Sequence, residues 1–135
     1  MSSTFQNSLS LLARFLLVAL FLPSGIAKLT GFAGTVGFIN SVGIPFPALA
    51  AALALTVEIL GGLALRAGFQ TRVVALVLAA FTLAATLLFH NFWGAAANQA
   101  FVQQLMFFKN IGVIGGLCAL AAHGAGSWSL DKRNV

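Results

Sequence analysis

The sequence predicts an all-α protein, an antiparallel four-helix bundle that spans a membrane. Of the 135 residues, 60% are hydrophobic and 7% are charged, whereas a soluble domain carries about 25% charged residues. The apolar residues concentrate in four segments, each long enough to cross roughly 30 Å of hydrocarbon as a helix: residues 9–28, 47–65, 72–90 and 104–122. No linker or internal repeat separates them, so we expect one transmembrane domain over residues 1–135.

Composition also excludes several classes of function. The net charge is +5, but the basic residues are scattered singly and form no stripe, which excludes a nucleic-acid interface. The single cysteine, Cys118, excludes an intrachain disulfide and a cysteine-based metal cage. His90 and His123 belong to opposite sides of the membrane, so we expect no metal site and no intrinsic cofactor.

Charge distribution predicts the orientation of the spans. Four crossings place both termini on one side. That side carries Arg66 and Arg72 in a loop and Lys132 and Arg133 in the tail, whereas the opposite loops offer only Lys28. Since Lys and Arg concentrate on the cytoplasmic face of membrane proteins, we expect cytoplasmic N- and C-termini.

The first span and the loop after it contain two further features. The span ends in small residues that loosely resemble a signal cleavage site, but its length and the absence of a basic n-region indicate a retained helix. In the loop TGFAGTVGFINSVGIPFP, Phe32, Val36 and Ile39 recur at helical spacing. We expect a short helix on the outer membrane surface, ended by Gly43 and Pro45.

Glu58 stands in the middle of the second span, in ALALTVEILGGLAL. A charged group at that depth costs roughly 2.5–3.5 kcal/mol on insertion scales, and the small residues Gly61 and Gly62 allow another helix to approach the same face. Counting 1.5 Å per residue places Arg14 of the first span at nearly the same depth. We therefore expect an Arg14–Glu58 ion pair inside the bundle. A protonatable Glu58 that relays protons or contacts a ligand is a compatible alternative.

The third span has a polar stripe. Thr82, Thr86 and His90 recur at a spacing of four, which places them on one helix face and leads to a histidine at the outer end. A histidine in this position is commonly a hydrogen-bonded structural residue, yet it can also exchange a proton near neutral pH.

The fourth span reads FFKNIGVIGG. Lys109 lies about 6 Å outward of mid-membrane by residue count, too deep for comfortable snorkelling. Gly112 and Gly116 form a GxxxG on or near its face, which favours helix packing there. We expect Lys109 to face protein and Asn110 to bond to a neighbouring helix.

The interior charges do not balance, because Arg14, Lys28 and Lys109 face only one carboxylate, Glu58. Lys28 alone could simply snorkel to the outer interface. A positive surplus at low dielectric constant is costly unless an anion or a carbonyl oxygen relieves it. We infer an outward-opening pocket for an oxyanion or a quinone head group, lined by Lys28, His90, Lys109 and Asn110.

These residues lie in stretches that resemble the DoxX family of small bacterial inner-membrane proteins, and the resemblance covers nearly the whole chain. The stretches are RFLLVALFLPSGIAKLTGFAGT, VEILGGLALRAGFQTR, FTLAATLLFHNFW and FFKNIGVIGGLCALAAHGAGSWSLD. The resemblance implies a four-helix bundle in the bacterial inner membrane. The family's polar and glycine positions map onto Arg14, Gly25, Lys28, Glu58, Gly61, His90, Lys109, Asn110 and Gly115.

The resemblance also implies a redox context, because members are linked to thiosulfate:quinone oxidoreduction and to membrane complexes with superoxide-detoxifying and sulfur-transferring partners. Our leading expectation is a redox-associated subunit that orients a bound quinone or a sulfur oxyanion. Since no sequence element carries electrons, an external donor is required. Besides the lipid bilayer, the expected partners are proteins of a redox complex and further copies of this chain.

Two other classes of function stay open. In the first, the chain is a non-catalytic membrane anchor or assembly factor, and its charges pair with one another or with a partner's helix. In the second it is a small transporter, which Glu58 at mid-membrane suggests. Four helices leave little room for a water-filled path, so a transporter would need an oligomer.

Overall fold

The computed structural model describes residues 3–134, and within them the chain is helical with no β-strand. The helices are α1 (Ser3–Thr30), α2 (Phe32–Ser41), α3 (Pro47–Ala67), α4 (Thr71–Phe89) and α5 (Ala97–His123), with short 3-10 turns at Phe92–Gly94 and Asp131–Asn134. The predicted all-α, antiparallel four-helix bundle with a short helix between its first two spans is confirmed.

Helices α1, α3, α4 and α5 are each long and apolar enough to cross a membrane. Large apolar side chains point away from the bundle on all four, including Leu16, Leu60, Val73 and Phe108. A monomeric soluble protein rarely exposes contiguous apolar surface of this extent, so this surface is the one that faces lipid. Helix α1 starts at Ser3 and α5 at Ala97, ahead of the apolar segments that begin at residues 9 and 104. Polar residues extend both helices beyond the hydrocarbon.

The bundle consists of two antiparallel pairs. Contacts are most extensive between α1 and α3 and between α4 and α5, while α3 and α4 join the pairs and α1 touches α5 only sparsely. Helix α2 packs mainly on α3. The buried core is formed by apolar side chains from all four spans, among them Phe21, Leu65, Leu78 and Leu117.

Helices α1 and α3 approach each other closely at Gly25. A Cβ atom there would lie 2.7 Å from Cγ1 of Ile59 and 3.1 Å from its backbone nitrogen, so only glycine fits. Gly62 also faces α1, whereas Gly61 faces α4, where a Cβ atom would lie 3.0 Å from Leu78. The two adjacent glycines of α3 therefore allow close contact with two different neighbours.

The prediction that Gly112 and Gly116 pack against a helix is wrong within the bundle. Both are exposed, and a Cβ atom at either would have no neighbour within 4 Å among the residues that the structure describes. Helix α5 packs inward through Leu117 and Leu120, and the glycines lie beside that face. Because α1 and α5 have so little contact, no other span covers this side.

The chain after α5 returns beneath the α3–α4 turn. Backbone N–H groups of Leu130 and Asp131 donate to the carbonyls of Ala67 and Gly68, at 3.1 and 2.8 Å. Gly68 adopts the left-handed conformation (φ 66°), and a side chain there would overlap Ser129. This turn thus requires glycine for two reasons: its φ is positive, and a side chain would occupy the space of Ser129 in the tail.

Asp131 caps the N-terminus of α4. Its carboxylate accepts hydrogen bonds from the backbone N–H groups of Gln70 (2.6 Å) and Thr71 (2.9 Å), which have no partner inside the helix. Burial alone would raise the pKa of Asp131, but hydrogen bonding from Thr71 and Gln70 and the charge of Arg14 together hold that pKa below its ordinary value. The tail is therefore fixed by an ionised carboxylate.

A polar pocket between the helix pairs

A cavity of about 420 Å³ lies between the helix pairs at the end covered by α2. This volume falls within the range typical of small-molecule sites. Most of its walls are apolar, and every described helix from α1 to α5 contributes residues. The polar residues that line it are Ser24, Lys28, Thr35, Glu58, Thr82, His90, Lys109 and Asn110. All four residues predicted to line a ligand pocket therefore border the same cavity.

Lys28 and Glu58 form an ion pair on the wall between α1 and α3. Nζ of Lys28 lies 3.0 Å from Oε2 of Glu58 and 3.1 Å from Oε1. Ser24, one turn before Lys28, accepts from Nζ at 2.7 Å and donates to Oε1 at 3.2 Å. The side chain of Glu58 is only 8% exposed, so its negative charge is compensated by Lys28 and hardly by water.

The predicted Arg14–Glu58 ion pair is wrong. Gly25, not Arg14, lies against Glu58, and Arg14 precedes Gly25 by eleven residues, about 16 Å along the helix axis. The depth count failed because it assumed that the ends of the two spans align, whereas α1 extends past the end of α3 and Arg14 lies level with Leu65 and Arg66. Lys28, expected in the pocket as a free cation, is the partner that Glu58 has instead.

Arg14 closes the other end of α3. The residue is 1% exposed, and its guanidinium donates to the carbonyls of Leu65 (3.3 Å), Arg66 (3.2 Å) and Trp128. The last carbonyls of a helix lack intrahelical donors and carry partial negative charge, which a cation satisfies. Arg14 therefore links α1 to the end of α3 and to the tail, away from the pocket.

His90 follows the last residue of α4 and reaches across to α5. Its Nδ1 lies 2.8 Å from Oε1 of Gln103. An amide oxygen only accepts, so Nδ1 carries the hydrogen in this arrangement. Within residues 3–134 the Nε2 atom has no partner, which leaves it free to accept a hydrogen bond from a ligand.

Asn110 also bonds across the second pair. Its Nδ2 donates to Oγ1 of Thr86 at 3.0 Å, and that hydroxyl donates to the carbonyl of Thr82 at 2.6 Å. Both threonines are buried, so the polar stripe predicted on α4 is used within the protein. The amide oxygen of Asn110 makes no hydrogen bond in the part of the chain that the structure describes.

Lys109 supplies the net charge of the pocket. It is exposed on the α5 wall and has neither a hydrogen bond nor an ion pair among the described residues. Lys28 and Glu58 cancel each other, and Arg14 lies elsewhere. The predicted surplus of positive charge in the pocket is thus reduced to one unpaired ammonium, that of Lys109, which was predicted to line the pocket.

Comparison with known proteins places these residues in a family context. The model of the DoxX family matches residues 9–91, and the model of the SURF4 family matches residues 52–134. Inner membrane protein YqjF of Escherichia coli (strain K12) is 40% identical over 122 residues, which cover 90% of this chain and 88% of that protein. Inner membrane protein YphA of the same strain is 34% identical over 125 residues, covering 93% and 89%. No solved structure gives a significant match.

Proposed function

This chain belongs to the DoxX family and is a small inner-membrane protein, and from that premise we propose that it is a redox-associated subunit whose pocket binds the head group of a quinone. One observation carries the proposal. An apolar cavity of quinone-like size brings together an unpaired ammonium, an unpartnered imidazole nitrogen and an unpartnered amide oxygen, on Lys109, His90 and Asn110.

The chemistry of these groups suits a quinone. Its ring is flat and apolar, matching walls that include Phe21, Phe81 and Phe89, and its two carbonyl oxygens accept hydrogen bonds. Lys109 would donate to one carbonyl. After uptake of two electrons and two protons the quinone becomes a quinol, whose hydroxyls would donate to Nε2 of His90 and to the amide oxygen of Asn110.

Electrons must come from outside this chain. We propose a partner subunit with its own redox centre as the two-electron donor, while this chain contributes binding, orientation and groups that exchange protons. The redox context that the resemblance to the family implies is compatible with such a division of labour.

The composition of the walls favours a quinone over a sulfur oxyanion. A dianion such as thiosulfate loses its hydration on entering an apolar cavity, and that loss must be offset by several donors or by opposite charges. Here the Lys28 ammonium is already paired with Glu58, so Lys109 alone is available. A neutral quinone needs no charge compensation and can accept a hydrogen bond from Lys109 through one carbonyl, so it fits this single donor better.

A second candidate function rests on the exposed side of α5. Lys109 lies on the same helix as Gly112 and Gly116, around which the described residues leave open space. Small residues beside a polar group allow a foreign helix to pack closely in a membrane. A non-catalytic anchor would use this surface for a partner helix and leave the pocket empty.

Binding of a short-tailed ubiquinone such as decylubiquinone to the detergent-solubilised protein tests the proposal. Lys109→Gln removes a charged donor, so we expect the dissociation constant to rise about tenfold or more. Lys132→Gln, a change at the opposite end of the bundle, serves as control and should bind like the parent. Equal affinity in the parent, Lys109→Gln and His90→Gln would overturn the quinone proposal.

Co-purification separates the two candidates. If a stoichiometric protein partner leaves when Lys109 is replaced by Gln, while decylubiquinone binds neither protein, the anchor function is the correct one. A quinone recovered in lipid extracts of the parent and lost in Lys109→Gln would favour the redox subunit.

We also propose that both termini are cytoplasmic. Arg66, Arg72 and Lys132 lie at the bundle end that carries the tail, in keeping with the positive-inside rule. A C-terminal alkaline phosphatase fusion should be inactive and a C-terminal green fluorescent protein fusion fluorescent. The reverse pattern would invert the orientation.

A further inference from the structure

A second cavity lies at the end of the bundle away from the quinone pocket, between α4, α5 and the tail. Its volume is about 510 Å³. Helix α4 begins at Thr71 and α5 ends at His123, so the cavity lies where two membrane spans leave the hydrocarbon. This is the depth at which phospholipid head groups are found.

Three side chains that can carry positive charge line this cavity: Arg72, His123 and Lys132. Arg72 uses Nη1 to donate to the carbonyls of Ala121 (3.1 Å) and Ala122 (2.7 Å), the last turn of α5. Those two bonds fix the orientation of the guanidinium. Its Nε and Nη2 make no hydrogen bond within residues 3–134, so two donors are held in place without an acceptor.

Lys132 also keeps donors free, and His123 keeps one ring nitrogen without a partner among the described residues. Nζ of Lys132 donates one hydrogen to the hydroxyl of Ser127 at 2.9 Å and retains two more. His123 donates from Nδ1 to the carbonyl of Ala119 at 2.9 Å, which leaves Nε2 available for protonation. A protonated Nε2 becomes a further donor.

One carboxylate, that of Asp131, shares the cavity. Both of its oxygens are already engaged by the backbone N–H groups of Gln70 and Thr71, at the positive end of the α4 dipole. Its charge is therefore offset locally. The donors of Arg72 and Lys132 are left for a ligand.

We propose that this cavity binds a phosphate group, with Arg72 and Lys132 as its cationic contacts and His123 as a third donor when protonated. A planar guanidinium with two parallel N–H groups matches two phosphate oxygens. Basic pockets between spans at this depth suit the head groups of anionic phospholipids, and a free phosphate ester offers the same chemistry. The site is separate from the quinone pocket and does not depend on it.

Lipid retention tests the proposal. Parent and variant proteins in dodecyl maltoside are mixed with equal amounts of phosphatidylglycerol and phosphatidylcholine of identical chains, and bound lipid is counted by native mass spectrometry. We expect the parent to retain phosphatidylglycerol preferentially. The double variant His123→Gln/Lys132→Gln should lose about fivefold or more in that preference.

The controls keep the outcome decisive. Arg66 lies at the same end but does not line the cavity, so Arg66→Gln should retain phosphatidylglycerol like the parent, as should Lys109→Gln. A loss of preference in Arg72→Gln counts as support only if the double variant shows it too, because Arg72 also donates to carbonyls at the end of α5 and its replacement could disturb the fold. Equal retention of both lipids by the parent, or equal preference in parent and double variant, would overturn the proposal if inorganic phosphate also leaves the unfolding midpoint of the parent unchanged.

A final arm identifies the source of the phosphate. Inorganic phosphate is added without lipid, and the midpoint of thermal unfolding is recorded. A rise in the parent that is absent from the double variant would assign the site to soluble phosphate compounds. No rise, together with selective retention of phosphatidylglycerol, would assign it to a membrane lipid.

Discussion

The ammonium of Lys28, near the end of α1, contacts both carboxylate oxygens of Glu58 at mid-helix in α3, at 3.0 and 3.1 Å. The lysine is partly exposed to the pocket, with 28% of its side chain accessible, while the glutamate is buried. The ammonium of Lys28 is thus accessible from the cavity, whereas the carboxylate of Glu58 is largely covered by neighbouring atoms. Removing either charge should leave the remaining one uncompensated.

Glu58→Gln should destabilise the protein by about 1–3 kcal/mol, less than a fully buried pair would lose because Lys28 is partly solvated. Thermal unfolding in detergent measures the change. The double variant Lys28→Met/Glu58→Met should be more stable than the summed effects of Lys28→Met and Glu58→Met indicate, because no charge is left unpaired. Strict additivity would show that the pair contributes nothing.

Gly25→Ala should lower stability by about 1–3 kcal/mol, since the added methyl group must displace Ile59 or separate α1 from α3. The matched control is Gly112→Ala, also in a spanning helix but with open space around it. There the better helix propensity of alanine should leave stability unchanged or slightly raised. Equal effects at the two positions would contradict the close approach at Gly25.

Arg14→Lys should loosen the tail and destabilise the fold by about 2 kcal/mol, because one ammonium cannot reproduce the fork that holds two carbonyls of α3 and that of Trp128. Limited proteolysis should then cut faster after α5. Arg66→Lys, an exposed neighbour, is the control and should digest like the parent. Unchanged cleavage in Arg14→Lys would show that the tail is held by other contacts.

Acid should weaken the tail through Asp131. Because its pKa is lower in the folded protein than in the unfolded chain, the ionised carboxylate stabilises the fold above the ordinary aspartate pKa of about 3.9, and that stability is lost as the pH falls through the folded value. The unfolding midpoint, followed from pH 7 to pH 3, should drop below about pH 4.

Asp131→Asn supplies the comparison. It should unfold at a lower temperature at pH 7 and lack this part of the acid dependence. The chain has only two acidic side chains, so Glu58→Gln, which leaves Asp131 in place, separates their contributions. An identical acid profile in parent and Asp131→Asn would exclude the cap as its cause.

The spans and the pocket could be predicted because both depend on local patterns. Apolar length identifies a membrane helix, and helical spacing identified α2 from three residues. Lys28 lies near the C-terminal end of α1 and His90 directly follows α4, which runs in the same direction, while Lys109 lies midway along α5. Alternating direction therefore places Lys28 and His90 at one end of the bundle, and Lys109 lies on the wall of the same cavity. That inference needed no knowledge of side-chain geometry.

The partners of the charged residues could not be predicted, because they depend on the register between helices. The depth count assumed that the ends of the first two spans align, whereas α1 extends past the end of α3 and places Arg14 level with Leu65 and Arg66. Lys28, and not Arg14, is therefore the partner of Glu58. Likewise, the cap formed by Asp131 requires the tail to fold back under Gly68, and nothing in the spacing of DKRNV indicates that return. The open side of α5 at Gly112 follows from how sparsely α1 covers it, which is also a property of the assembled bundle.

The two antiparallel pairs have a consequence for how the chain enters the membrane. Lys28 meets Glu58 within the pair α1/α3, while Asn110 meets Thr86 and His90 meets Gln103 within the pair α4/α5. Each hairpin can therefore satisfy these polar groups by itself before the halves associate. Insertion as two successive hairpins would leave neither Glu58 nor Asn110 facing hydrocarbon alone, and Lys109 would be the one intramembrane charge of the described spans that enters without a partner.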